Sequence, residues 1–464
     1  MEPLEPKSFR DSISTVDKDG KRVWIHPKKP KGKLTNYRTY VSWFLLAFMI
    51  SGPLVQINGE QMLLFDVLNR HFILFGLTFW PQDFYIFVLI FITGVMFIIL
   101  FTVLYGRIFC GWLCPQTIFM EMVFRKIEYL FEGDYTKQKK LDKMSPTSTE
   151  RLLRRGGKHV TFILLSFAIS NLFLSYIIGL DELLKITNEP ISMHLTGFIS
   201  IWVFTGAFYW VFSWFREQVC IIACPYGRLQ GVMLDSKSMV VAYDYVRGEP
   251  REKFRKADTR TSGDCIDCKQ CVHVCPTGID IRNGTQLECI NCTACIDACD
   301  DIMETVNLPK GLIGFYSEDG IKTREKFKFS PRIISYSILL VILLGVVSSL
   351  IVLRSDIDIT VLKVAGTMPT KVETGEIVGL YKVNIINKTA NEVPIEVKLE
   401  NIQGSIEIVG ENITVPSSGQ VNSIIMVKIP EENLKQLSTP IEIGIYADGK
   451  NISTEKTNFL APNQ

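Results

Sequence analysis

Cys265-Ile-Asp-Cys-Lys-Gln-Cys-Val-His-Val-Cys275-Pro276 has the spacing C-x2-C-x2-C-x3-C-P, and Cys289, Cys292, Cys295 and Cys299 repeat it 24 residues later. Three thiolates on one tight turn of backbone can hold three corners of an Fe4S4 cube. The fourth corner must come from elsewhere, and in paired motifs of this kind it comes from the other copy. The spacing therefore assigns Cys265, Cys268, Cys271 and Cys299 to one 4Fe-4S cluster, and Cys289, Cys292, Cys295 and Cys275 to a second. Structural zinc also takes four thiolates, but its C-x2-C pairs stand further apart, and a doubled x2, x2, x3 run fits it poorly. One departure is that Asp300, not proline, follows Cys299.

The other four of twelve cysteines form two C-x3-C-P pairs, Cys110/Cys114 and Cys220/Cys224. With every thiol inside a motif, the chain reads as a metal or redox protein and not as a disulfide framework. Its 464 residues exceed one ordinary domain. Hydrophobic content of 47% with 21% charge, and a positive mean hydropathy, predict membrane spans mixed with soluble parts. A net charge of +2 gives no pull toward a polyanion, and no nucleic-acid motif, G-x-G-x-x-G or P-loop is present. Nucleic acid, nicotinamide and nucleotide ligands are thus unsupported. The five histidines, His26, His71, His159, His194 and His273, are too scattered to bind a b-type haem, and His273 reads as packing beside a cluster.

A bilayer span needs about 20 apolar residues. Five stretches qualify, at about 38–57, 84–105, 160–180, 196–215 and 333–353. Up to Arg38 the chain carries ten Lys/Arg, loop 58–83 carries one, loop 105–159 eleven and loop 181–195 one. By the positive-inside rule the N-terminus lies inside. The long segment 216–332 with both cysteine motifs is then cytoplasmic and residues 354–464 are outside. All thiols fall on the reducing side. The absence of a short apolar core with a small-residue cleavage site argues against a cleavable signal.

The expected architecture is a multidomain membrane protein. Residues 1–36 form a partly disordered cytoplasmic tail, and 37–215 a membrane domain whose helices complete a five-helix bundle with the span at 333–353. Linkers at 216–262 and 306–332 flank an α+β ferredoxin module with two 4Fe-4S clusters at 263–305. Residues 354–464 are a C-terminal immunoglobulin-like β-sandwich, read from short alternating runs such as Leu380–Ile386 and Ile441–Tyr446. Sequons at Asn387, Asn412 and Asn451 are read as chance. Thr117–Phe131 places Ile118, Phe119, Met122, Val123, Ile127, Leu130 and Phe131 at helical spacing with Glu121, Arg125, Lys126 and Glu128 between them, which predicts a helix along the inner membrane surface. The basic stretch 245–262 reads as a linker, or as a dock for the acidic cluster module.

Phe109-Cys-Gly-Trp-Leu-Cys-Pro115 and Val219-Cys-Ile-Ile-Ala-Cys-Pro225 are an internal repeat, each just past the inner end of a span. Spacing i, i+4 puts both sulfurs on one helical face. Proline disfavours helix at the cysteine before it and can start a new helix, so each pair should mark a bend. Packed about a pseudo-twofold, four thiols would converge at the cytoplasmic edge. Three readings stay open: buried cysteines acting only as small apolar residues, a redox dithiol, and a soft-metal site for Cu(I), zinc or iron–sulfur chemistry.

Two membrane C-x3-C-P motifs, a two-cluster module, a fifth span and an external sandwich, in that order, resemble the CcoG/FixG/RdxA family of cytochrome c oxidase accessory proteins over essentially the whole chain. NapH-type quinol dehydrogenases share the C-x3-C-P spans and clusters but are not expected to carry the sandwich. The resemblance implies a multi-pass protein of the bacterial inner membrane, with cytoplasmic clusters and a periplasmic sandwich. It implies a role in assembling a cbb(3)-type oxidase as an oxidoreductase that reduces Cu(II) to Cu(I). The family's membrane motifs map onto Cys110, Cys114, Cys220 and Cys224, which become the candidate catalytic and copper-binding residues. Implied partners are membrane lipid, a copper chaperone, a copper-exporting ATPase, oxidase subunits, an unidentified electron donor and a second copy of the chain. A quinol-fed electron conduit, or a scaffold without redox turnover, are the rival functions.

Overall fold

A computed structural model describes residues 14–460, apart from 17–18, 68–69, 254–261, 325–329, 368, 373–374, 390, 411–412, 435, 437 and 448. The chain divides into two compact units, Met1–Leu54 with Val88–Val347, and Val55–Phe87 with Ser348–Gln464.

The longest helices are α1 (Lys33–Leu54), α2 (Phe84–Tyr105), α3 (Thr149–Ile178), α4 (Leu195–Trp210), α5 (Ala294–Thr305) and α6 (Pro331–Val352). Among the described residues, four helical segments are long and apolar enough to cross a membrane, at Pro81–Tyr105, Thr149–Ile178, Leu195–Phe215 and Pro331–Val352. The expected fifth span, about 38–57, corresponds to α1. Its first two turns hold Lys33, Asn36 and Arg38, so only its second half is as apolar as a span requires. Between α3 and α4, Ser170 and Thr205 share a hydroxyl hydrogen bond of 2.8 Å, the kind of polar contact that joins helices where no water competes. Where these helices meet the segment after Pro115, Phe124 stacks on Phe212 with centroids 4.6 Å apart, and Phe162 meets Phe124 edge-on at 4.8 Å.

Residues 19–32 of the tail run along the rest of the first unit. Lys28 N donates to His273 O (2.7 Å), Lys29 N to Asp134 Oδ1 (2.8 Å), and Tyr129 OH to Pro27 O (3.1 Å). The strap thus joins the cysteine module to the segment after α2. It ends at α1, where Asp297 of α5 accepts from Leu34 N (3.1 Å), Thr35 N (2.7 Å) and Thr35 Oγ1 (2.7 Å). Asp297 therefore caps α1 from a distant segment, satisfying amide donors that a helix start leaves over. Asp297→Ala should lower stability by about 2 kcal/mol, read as the denaturant midpoint for loss of cluster absorbance.

The segment 117–131 is helical, with wide i→i−5 turns over Ile118–Phe124 and an ordinary helix at Arg125–Phe131. Arg125 and Glu128 are buried, while Leu130 is 79% exposed. Glu128 is buried because Arg216 and Lys158, from other elements, supply partners there, beside the buried Ile118, Phe119 and Phe124, while Lys126 is exposed.

In the second unit two sheets pack face to face. One orders its strands Ser405–Val409, Gln420–Pro430, Glu376–Asn387, Ile357–Lys363, and the other Ile413–Val415, Val393–Leu399, Ser438–Ala447, Lys450–Leu460. Alternation on Glu376–Asn387 buries Ile377, Tyr381, Val383 and Ile385 against Ile395, Ile441, Ile443, Ile445 and Phe459. Gly379 falls in that series because a Cβ there would lie 2.8 Å from the Phe459 ring. Asn387 is buried, with its amide donating to Asn391 O and Pro416 O. Asn412 lies outside the described residues. Where sequence indicates only an external loop, Leu63–Asp66, His71–Leu74 and Leu77–Phe79 form a three-stranded sheet. Its second turn is Phe75-Gly76, both at positive φ (53° and 79°), the conformation that suits a two-residue hairpin.

Candidate metal centre

The two cysteine motifs fold alike. Asp267 and Lys269 in the first, and Asn291 and Thr293 in the second, all lie in the left-handed region, with φ of 51°, 58°, 51° and 65°. None is glycine, and only Asp267 and Asn291 are of a type that visits this region readily, a strain that concentrates at functional turns. It wraps each loop around its cysteines. One cavity is lined by Cys265, Cys268, Cys271 and Cys299, with Tyr243, Arg282 and Met303. A second is lined by Cys275, Cys289, Cys292 and Cys295, with Cys271 also at its wall. The fourth thiol of each set thus comes from the other motif. Cys299 lies within α5, which continues to Thr305. Proline at 300 would interrupt that helix, and Asp300 instead accepts from Gly311 N (2.9 Å).

The donor set suits a polynuclear cluster. Among the described residues, no three Cys, His, Asp or Glu are gathered so as to hold a single metal ion, in the two cavities or at the C-x3-C-P pairs, and four thiols lining one cavity suit a group larger than one ion. Burial pushes the Cys271 thiol up to about 12, opposed by the Arg282 cation. Burial likewise raises Cys275 to about 11 and Cys289 to about 12. The unligated thiols are therefore protonated at neutral pH, and binding iron must displace those protons. Arg282, not singled out from sequence, is buried beside the first set and pairs with Asp280 and Asp267, each at 2.6 Å. His273 packs its ring on Tyr135 at 5.2 Å. Arg247 joins the module internally, donating to Asp264 (2.5 Å) and Lys310 O (2.9 Å). The docking residues Arg255, Lys256 and Arg260 lie outside the described residues.

The C-x3-C-P pairs also match each other. Cys114 N donates to Phe109 O (2.9 Å) and Cys224 N to Val219 O (2.8 Å), both across five residues. Cys114 and Cys224 are extended, and Pro115 and Pro225 open new helices, the bend that X-Pro sterics call for. The two repeats pack together. Gln230, on the helix that Pro225 opens, accepts from Arg107 Nε (3.0 Å) and Cys110 Sγ (3.2 Å) and donates to Thr102 (3.2 Å). A Cβ at Gly227 would lie 2.8 Å from Cys220 O and 2.9 Å from Arg107 Nη2. Burial raises Cys110 to about 11, with Cys114 and Cys224 adding to the rise and Arg107 opposing it. Burial raises Cys220 to about 12, with Cys114, Cys110 and Cys224 adding. All four thiols therefore share one electrostatic neighbourhood.

That neighbourhood touches the second cysteine cavity. A Cβ at Gly111 would sit 2.4 Å from Ile290 O, so glycine permits the first bend to press directly on the loop between Cys289 and Cys292. Asn291 Nδ2 donates to Tyr105 O (3.1 Å), Arg107 donates to Leu287 O, and Arg38 Nε donates to Gly111 O (2.7 Å). Arg107 and Arg38 are cations that draw down Cys289 and Cys292 respectively against the larger effect of burial. Neither arginine stands out in the sequence, since each partner lies 70 or more positions away.

Comparison with known proteins matches residues 215–318 to a 4Fe-4S dicluster domain, 87–133 to a 4Fe-4S binding domain, and 348–462 to the Ig-like fold at the C-terminus of FixG. Protein RdxB of Cereibacter sphaeroides is 33% identical over 79% of this chain and 80% of its own. Protein RdxA of the same organism is 33% identical over 80% and 81%. The nitrogen fixation protein FixG of Rhizobium meliloti is 34% identical over 64% and 57%. A crystal structure of a FixG-related protein from Vibrio parahaemolyticus covers 23% of this chain and 97% of its own, at 19% identity and a TM-score of 0.19.

Proposed function

The chain belongs to the family of RdxA, RdxB and FixG, and from that premise we propose that it carries two 4Fe-4S clusters and passes their electrons to Cu(II) at the C-x3-C-P thiols. Cys265, Cys268, Cys271 and Cys299 hold one cluster, and Cys289, Cys292, Cys295 and Cys275 the other. The clusters supply one-electron exchange. The observation that carries the reading is the contact of Gly111 with Ile290, which sets the first C-x3-C-P bend against the loop of the second cluster. Thiolates are soft ligands that prefer Cu(I) over Cu(II), so each electron that reduces Cu(II) at any of these thiols leaves the product better held than the reactant. Arg107 and Gln230 orient Cys110 within that set.

The Lys/Arg bias favours an inner-membrane protein with the clusters in the cytoplasm and the sandwich in the periplasm. This topology needs α1 to cross as well, and its exposed Tyr40, Trp43, Phe44, Phe48 and Leu54 are consistent with lipid contact. Cu(I) made at the cytoplasmic edge would supply a chaperone and a copper-exporting ATPase for assembly of a cbb(3)-type oxidase. The double variant Cys110→Ser/Cys220→Ser, with its iron content intact, should slow Cu(I) formation by about tenfold or more. A Cu(I)-specific chelator added to dithionite-reduced protein and Cu(II) reads the rate. An unchanged rate removes these thiols from the reaction.

A further inference from the structure

A cavity of about 670 Å3 lies among α1, the segment after Pro115 and α3, with Ser42, Trp43, Phe119, Met122, Lys126 and Ala168 on its wall. Only Ser42 and Lys126 bring a hydroxyl or a charge to this lining. Lys126 is exposed at the rim, 5.8 Å from the Trp43 ring centroid, and among the described residues it has no carboxylate partner. Glu121, one turn away, is already taken by Arg125 at 2.9 Å. The charges acting on Lys126 are the cations Lys29 and Arg38.

The cavity is joined to the cysteine sites through three consecutive contacts. Ser42 Oγ donates to Arg38 O (2.8 Å), Arg38 Nε donates to Gly111 O (2.7 Å), and Gly111 abuts Ile290. Arg38 and Glu121, from the same two elements as Ser42 and Met122, are charges that act on Cys292.

We propose that this cavity binds an isoprenoid quinol, the reductant of the clusters. The inference rests on the iron–sulfur electron-transfer reading above but not on copper as the acceptor. An isoprenoid quinol is an aromatic ring with two oxygens and a long apolar tail. Trp43 and Phe119 offer faces for the ring, Lys126 a donor for one oxygen, and Ser42 Oγ an acceptor for a hydroxyl. The apolar wall takes the tail. A phospholipid fits worse, since its phosphodiester would meet a single ammonium. Oxidation of the quinol to the quinone breaks two O–H bonds and releases two electrons and two protons. The two clusters would take one electron each, and the protons would leave to water past Lys126.

The test uses full-length, cluster-loaded protein in nanodiscs with an azido-labelled short-chain quinone. Photolabel should map to peptides within 42–50 and 119–126, and excess unlabelled quinone should displace it. Ala168→Trp and Ala47→Phe, which fill the cavity from separate helices, should each cut labelling by about tenfold, with iron content reporting that the fold is kept. Label elsewhere, label unaffected by both filled variants, or equal displacement by phosphatidylglycerol overturns the proposal. Copper reduction by dithionite-reduced protein bypasses the quinol, so its failure would count against the copper reading alone.

Discussion

Cys275→Ser should cost the protein about half of its roughly eight irons, and the half lost should belong to the second motif. Cys275 follows Cys271 in the first motif, yet it lines the cavity of Cys289, Cys292 and Cys295. Serine keeps the volume but replaces a soft thiolate with a hydroxyl that stays protonated, so one corner of the cube loses its ligand. Double variants locate the loss without structural work. Adding Cys292→Ser to Cys275→Ser should remove no further iron, because both act on one cluster. Adding Cys268→Ser should remove nearly all of it. Iron and sulfide analysis reads the counts, and non-additivity marks residues that act as one unit. If each motif served its own cluster, the two doubles would exchange results.

The exchange of fourth ligands is legible in the sequence because it follows from spacing alone, and spacing is local. The matched bends at Cys114 and Cys224 are legible for the same reason, since X-Pro sterics act between neighbours. The sandwich shows through period-two alternation over single strands. What is not legible depends on partners far along the chain. Glu121, Arg125 and Glu128 interrupt an apolar stripe and look like a solvated face, until Arg216 arrives from 88 positions beyond Glu128 to pair with it. The contacts of the tail are not legible because its anchors, Asp134, His273 and Asp297, lie more than a hundred residues downstream. Arg38, counted from the sequence among the charges of the tail, instead donates to Gly111 O, 73 positions away. The left-handed residues escape notice since Lys269 and Thr293 carry no signature of that conformation.

Glu128→Gln should destabilise the membrane-edge unit by about 3–5 kcal/mol, the loss typical of breaking a buried ion pair from one side. Arg216 grips Glu128 with both terminal nitrogens, at 2.7 and 2.9 Å. Arg125 Nη1 lies 3.3 Å away and Lys158 Nζ 3.9 Å. Glu217 extends the network to Arg22 of the strap at 2.9 Å. Removing the central carboxylate leaves two buried guanidinium groups short of a counter-charge. Replacing both Glu128 and Arg216 with methionine should recover part of the loss, since the desolvation penalty goes with the pair. Acid gives an independent readout. Burial would raise the Glu128 carboxyl, but Arg216, Arg125 and Lys158 outweigh it and hold the group at about 2, below an unfolded value of about 4.3. A depressed carboxyl stabilises the fold above the unfolded value, and that contribution is lost as pH falls from about 4.3 toward 2. The wild-type melting midpoint, followed by tryptophan fluorescence, should therefore fall more steeply across this window than that of Glu128→Gln. Parallel acid limbs, or a variant as stable as wild type at neutral pH, would mean that the network contributes nothing to holding the cysteine bends against the cluster module.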